Sequence, residues 1–122
     1  MAAPNVVNVT SIYGKTTGLA LTSSSQDVLT CGADKLLKVN SIIVANVDGT
    51  NNDDVTVSWY DSGTTTSFRL ASTVTVPADS TLVVLGKDAP IYLEEGDKIQ
   101  ANGVAASGDL EIIVSYEELD DA

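Results

Sequence analysis

Histidine is missing from the 122 residues altogether, and cysteine occurs once, at Cys31. No disulfide can close within the chain, and a nucleophilic Cys31 would lack its usual base. Cys31 reads instead as a small, partly buried strand residue. Basic residues are few, six against 17 acidic ones, for a formal net charge of −11. Nucleic acid and anionic membranes would be repelled over most of such a surface, so neither is expected as a direct partner. The longest apolar runs, Ile42 to Ala45 and Leu82 to Leu85, are far too short to span a bilayer. The start, Met1-Ala2-Ala3-Pro4-Asn5, shows neither the basic region nor the apolar run of a signal peptide, and a soluble protein made in the cytoplasm is expected.

Helical periodicity is absent as well. Val, Ile, Leu and Thr dominate, and they alternate with polar residues over short stretches separated by turn residues about every ten positions. The pattern predicts an all-β fold, an antiparallel two-sheet β-sandwich that is jelly-roll-like, with an extended N-terminal arm. Residues 1–25 are read as the arm and first strands, and residues 26–122 as the sandwich body. The segment Asn5 to Tyr13 is extended in character with few core residues, which suits pairing in its own sheet or reaching a neighbouring subunit, the second being preferred. Val6, Val7, Val9, Ile12 and Tyr13 are the candidate interface residues. Short strands are expected at Gly18 to Thr22 and Gln26 to Cys31.

The longest strand is expected from Leu36 to Val47, with Leu37, Val39, Ser41, Ile43, Ala45 and Val47 on one face and the intervening residues on the other. Both faces are apolar near Ile42 to Val44, as at the centre of a sandwich or at a subunit contact. Val55, Val57 and Trp59 alternate with Thr56, Ser58 and Tyr60 in a further half-buried strand. From Ala89 to Ala101, Ile91 and Leu93 precede Glu94-Glu95-Gly96-Asp97 and Ile99 follows, which predicts a β-hairpin reversing at Gly96. The closing segment Glu117 to Ala122 is acidic and is expected to fray from the end of the last strand.

Catalytic chemistry is not visible. Glu94 and Glu95 are adjacent, so they splay at a turn and do not oppose each other across a substrate. The glycines fall at turns, with no phosphate-cradling loop. The loop Asp48 to Asp54 offers Asp48, Asn51, Asp53 and Asp54 as weak calcium ligands, but the spacing departs from the Asp-x-Asp-x-Asp-Gly pattern and a solvated loop is preferred. No catalytic residue, cofactor or enzyme activity is expected. Trp59 and Tyr60 could form a sugar-stacking surface, although a tryptophan on an apolar stripe belongs more often to the core.

Three stretches carry a likeness: Lys38-Val39-Asn40-Ser41-Ile42-Ile43-Val44-Ala45-Asn46-Val47-Asp48-Gly49-Thr50, Val76-Pro77-Ala78-Asp79-Ser80-Thr81-Leu82-Val83-Val84, and Ala89-Pro90-Ile91-Tyr92-Leu93-Glu94-Glu95-Gly96-Asp97. With the Met1 to Asn5 start and the Ser115-Tyr116-Glu117-Glu118 end, they make the chain resemble small virion structural proteins of marine tailed phages, including cyanophages. The resemblance implies a capsid decoration (cement) protein on the outer surface of the virion head. The implied partner is the major capsid protein, and the implied assembly is a homo-oligomer, a trimer foremost. The alternatives are a neck, tail or fibre component and a glycan-binding adhesin.

Overall fold

The computed structural model describes residues 7, 9–104 and 108–120. The described residues form nine strands: β1 (Ser11–Ala20), β2 (Gln26–Thr30), β3 (Lys35–Asn46), β4 (Asp53–Asp61), β5 (Thr66–Val76), β6 (Thr81–Leu85), β7 (Ile91–Leu93), β8 (Lys98–Asn102) and β9 (Leu110–Asp120). One sheet runs β1-β9-β3-β6, with β7 also pairing β3, and the other runs β2-β8-β4-β5. Every pairing is antiparallel. The pairs nest, β1 with β9, β2 with β8, β3 with β6 and β4 with β5, and successive pairs fall in alternate sheets. This is the winding of a jelly roll, a long hairpin wrapped around one core. Among the described residues no helix is long and apolar enough to cross a membrane.

The core lies between the sheets and is built by alternation. Val55 and Val57 of β4, Ile99 and Ala101 of β8, and Leu110, Ile112 and Val114 of β9 are all fully buried, each two residues from the next on its strand. Each large aliphatic side chain removed from water there contributes about 1.5–3 kcal/mol.

In β3 the alternation breaks. Leu37 and Val39 face inward, but so do Ile42 and Val44, because the register against β9 shifts between Val39 and Ser41. One extra residue in the strand moves every later side chain to the other face. The single-face assignment of Leu37, Val39, Ser41, Ile43, Ala45 and Val47 is corrected accordingly: Ile43 and Ala45 lie on the outer face, and Val47 follows the strand and is exposed.

Three further expectations change. The hairpin from Ala89 to Ala101 does not form, since β7 pairs with β3 in one sheet while β8 pairs with β2 and β4 in the other. The Glu94-to-Asp97 turn is instead a corner between sheets. Asp97, 1% exposed, holds that corner: its carboxylate accepts from the Ser62 amide at 3.0 Å and the Glu94 amide at 3.1 Å, and lies 3.1 Å from the Ser62 hydroxyl. Its backbone carbonyl accepts from the Cys31 amide at 2.9 Å. Gly96 turns with φ of 84°, and a Cβ there would lie 2.9 Å from Ser62 Oγ.

The acidic end does not fray through Asp120. Residues Leu110 to Asp120 form β9, which sits between β1 and β3 and pairs with both. Lys35 offsets its charge, lying 2.8 Å from Asp120 and 3.4 Å from Glu118, and Lys15 reaches Glu118 at 3.3 Å. Finally, the short strand expected at Gly18 to Thr22 is the end of a longer β1, which stops at Ala20 and whose register with β9 is unbroken from Ser11. Ile12 and Tyr13 therefore pair with Leu119 and Glu118 of their own chain, and both belong to the sheet. Val6 lies outside the described residues.

Candidate functional site

Three features of the surface could engage a partner, and each follows from strand geometry. The first is the outer face of the β1-β9-β3-β6 sheet. The bulge in β3 turns Ile43 outward, where the ladder sets it beside Ile113 of β9 and Val83 of β6. Ile113 is 39% and Val83 62% exposed. Gly18 of β1 stands opposite Ile113 and contributes no side chain, which leaves a shallow depression of about 310 Å³ bordered by Ala20, Glu111 and Ile113. The apolar character on both sides of Ile42 to Val44 was the signal for this row; its position on the surface depends on the bulge.

The second feature is a groove of about 330 Å³ at the open side of the sandwich, lined by Trp59, Leu70, Pro90, Ile91 and Tyr92. Trp59 stacks on Phe68 with ring centroids 5.6 Å apart, and its indole nitrogen is buried without a hydrogen-bond acceptor. Phe68 is 51% exposed. Trp59 pairs with buried Ile99 on the inward face of β4, whereas Tyr60 points outward beneath the Lys98 ammonium, 5.5 Å from its ring centroid. Neighbouring residues on a strand face opposite ways, so Trp59 and Tyr60 cannot make one sugar-stacking platform. Phe68, reached across the strand pair, is the aromatic partner that adjacency in sequence did not suggest.

The third feature is the start of β1. Ile12 and Tyr13 are more than half exposed, Val7 is 84% exposed and Val9 half-buried. These four interface candidates thus remain accessible or partly so, although Ile12 and Tyr13 are held in the sheet.

The remaining candidates are occupied by the fold. The Asp48 carboxylate accepts from the amides of Thr50 and Asn51 and from the Asn51 side chain, bonds that hold it below the ordinary carboxylate range, the Thr50 amide foremost. Asp53 accepts from the amides of Asp54 and Val104, and Asp54 accepts from the Thr75 hydroxyl. Asn46, 3% exposed, ties the same loop to the end of β5 through the carbonyls of Asn51 and Val76. The Asp48 oxygens stabilise the loop itself and those of Asp53 and Asp54 tie it to other segments, and among the described residues no three His, Cys, Asp or Glu side chains gather as a metal site. Burial pushes the Cys31 thiol from an ordinary 9.0 to about 11, helped by the nearby carboxylates of Asp97, Glu95 and Glu118. It is a poor nucleophile at neutral pH.

No known protein family matches the chain, and no curated protein does. Among solved structures, a protein of Bacillus endospore appendages, described as a novel family of disulfide-linked pili, aligns with a TM-score of 0.54 at 14% identity. The alignment covers 92% of this chain and 88% of that one. At that identity the likeness is one of fold. Two structures of a pentameric capsid protein from metagenomic phage sequences also align, with TM-scores of 0.36 and 0.38 at 16% and 17% identity. Each alignment covers 98% of this chain, and they cover 64% and 66% of the capsid chains.

Proposed function

We propose that this protein is a non-enzymatic structural protein of a phage virion, a decoration protein that bridges major capsid subunits on the outer surface of the head. The observation that carries the reading is the presence of two separate apolar surfaces on one jelly roll: the Ile43, Ile113 and Val83 row on a sheet face, and the groove lined by Trp59, Leu70 and Tyr92 at the open side. A bridging protein needs two surfaces that engage at once, and scattered single apolar residues would not supply them. Many copies on a lattice make modest contacts sufficient, because each second contact forms at a high effective concentration. The net charge of −11 suits an outward position, away from packaged DNA. The sequence resemblance to small phage virion proteins supports the same assignment. Val7 and Val9, with Val6 before them, are proposed to extend the contact ahead of β1.

Quantitative mass spectrometry of purified particles tests the role. Copies comparable to the major capsid protein, with cross-links from this chain to that protein, are expected. A few copies per particle, cross-linked to neck or tail proteins, would place it there and refute decoration.

A further inference from the structure

Exposed sheet edges are where one β protein pairs with another, and proteins ordinarily protect them with short strands, bulges or charge. Among the described residues, four of the five edge strands are protected. β2 is five residues long with a register shift, β6 five with a shift against β3, and β7 three. β5 is long, but its register against β4 shifts twice and Thr73 within it has φ of 50°, a conformation that bends a β-branched residue out of the ladder. β1 has neither a short span nor a bulge, and its one charged side chain, Lys15, is drawn back onto its own chain by Glu118 of β9 at 3.3 Å. It runs ten residues in unbroken register, has no proline and no acidic side chain, and is exposed from Ile12 to Thr16. In a chain of net charge −11, the one long and unbulged edge strand also carries no carboxylate, so pairing two copies along it opposes no acidic side chains directly.

We infer that β1 is a self-association edge, on which a second copy of the chain pairs its own β1 antiparallel about a two-fold axis at Thr16. The register follows from charge and pleat. A continuous sheet requires paired residues to share a face, so the axis must pass through a residue. An axis at Lys15 would oppose two lysines, which is unfavourable. An axis at Gly14 or Thr17 shortens the overlap. The axis at Thr16 pairs Ile12 with Ala20 of the second copy, Tyr13 with Leu19, Gly14 with Gly18 and Lys15 with Thr17. It covers Ile12 and Tyr13, now 58% and 51% exposed, and leaves only Ser11 of the strand outside the overlap. The association is two-fold, unlike the trimer the resemblance implies, and holds whether or not the chain belongs to a virion.

Sedimentation equilibrium on the full chain should give the mass of two chains. Thr16→Lys places two ammonium groups at the axis and should weaken association about 100-fold, with the circular dichroism spectrum and melting temperature retained. In a second experiment, Thr16→Cys should form a disulfide-linked dimer under mild oxidation, while Thr17→Cys, which is not opposite itself, should not. Buried Cys31 leaves the background low. A single-chain or three-chain mass at all concentrations, or Thr17→Cys linking as readily as Thr16→Cys, would overturn the inference.

Discussion

Replacing Asp97 with alanine should be the most damaging polar substitution in the protein, because one buried carboxylate closes the corner between the two sheets. It is 1% exposed and accepts from two backbone amides, of Ser62 and Glu94, with the Ser62 hydroxyl also within reach. Alanine leaves both amides without an acceptor, at about 1–3 kcal/mol each. Part of this is returned because the cost of burying a charge disappears. A net loss of about 3 kcal/mol results, or roughly 12 °C in melting temperature for a domain of this size. Ser62→Ala removes only the hydroxyl and should cost about 1 kcal/mol. The double variant should lose less than the sum, since the two side chains share one interaction. Urea melts followed by circular dichroism and by Trp59 fluorescence would measure all three. A loss under 1 kcal/mol for Asp97→Ala, or strict additivity with Ser62→Ala, would show that the corner is held by packing instead of by this carboxylate.

Two other outcomes are expected. Ile42→Ala, at a fully buried position, should cost about 2–5 kcal/mol, and Ile43→Ala on the outer face about 1 kcal/mol; equal or reversed losses in denaturant melts would contradict the bulge that orients them. Asp27 is held below its ordinary 3.8 first by the Gln100 hydrogen bond and then by Lys98. A lowered carboxyl contributes stability that is present above pH 3.8 and lost as pH falls through its folded value. Asp27→Asn should therefore flatten the acid limb of a pH–stability curve by about 0.5 kcal/mol, the scale of a solvent-screened pair. An unchanged limb would remove Asp27 from the account.

The sequence by itself determined the fold class, because alternation is a local property: Leu110, Ile112 and Val114, or Val55 and Val57, declare a buried face wherever their strands pair. It also determined that no histidine can serve as a base or metal ligand, since a residue type that is missing cannot be supplied by folding. Only the tertiary structure decided the pairing. Nothing local distinguishes a turn that closes a hairpin from one that crosses between sheets, and the Glu94-to-Asp97 turn became a corner through a carboxylate that caps Ser62, 35 residues away. An acidic C-terminal stretch reads as a loose end until Lys15 and Lys35, from two other strands, are found beside it. One extra residue in β3, invisible in its composition, chose which of two adjacent isoleucines fills the core and which lies on the outer face. The candidate surfaces are the least legible part for that reason: Ile43, Ile113 and Val83, like Trp59 and Phe68, become neighbours only through strand register, which many distant residues set together.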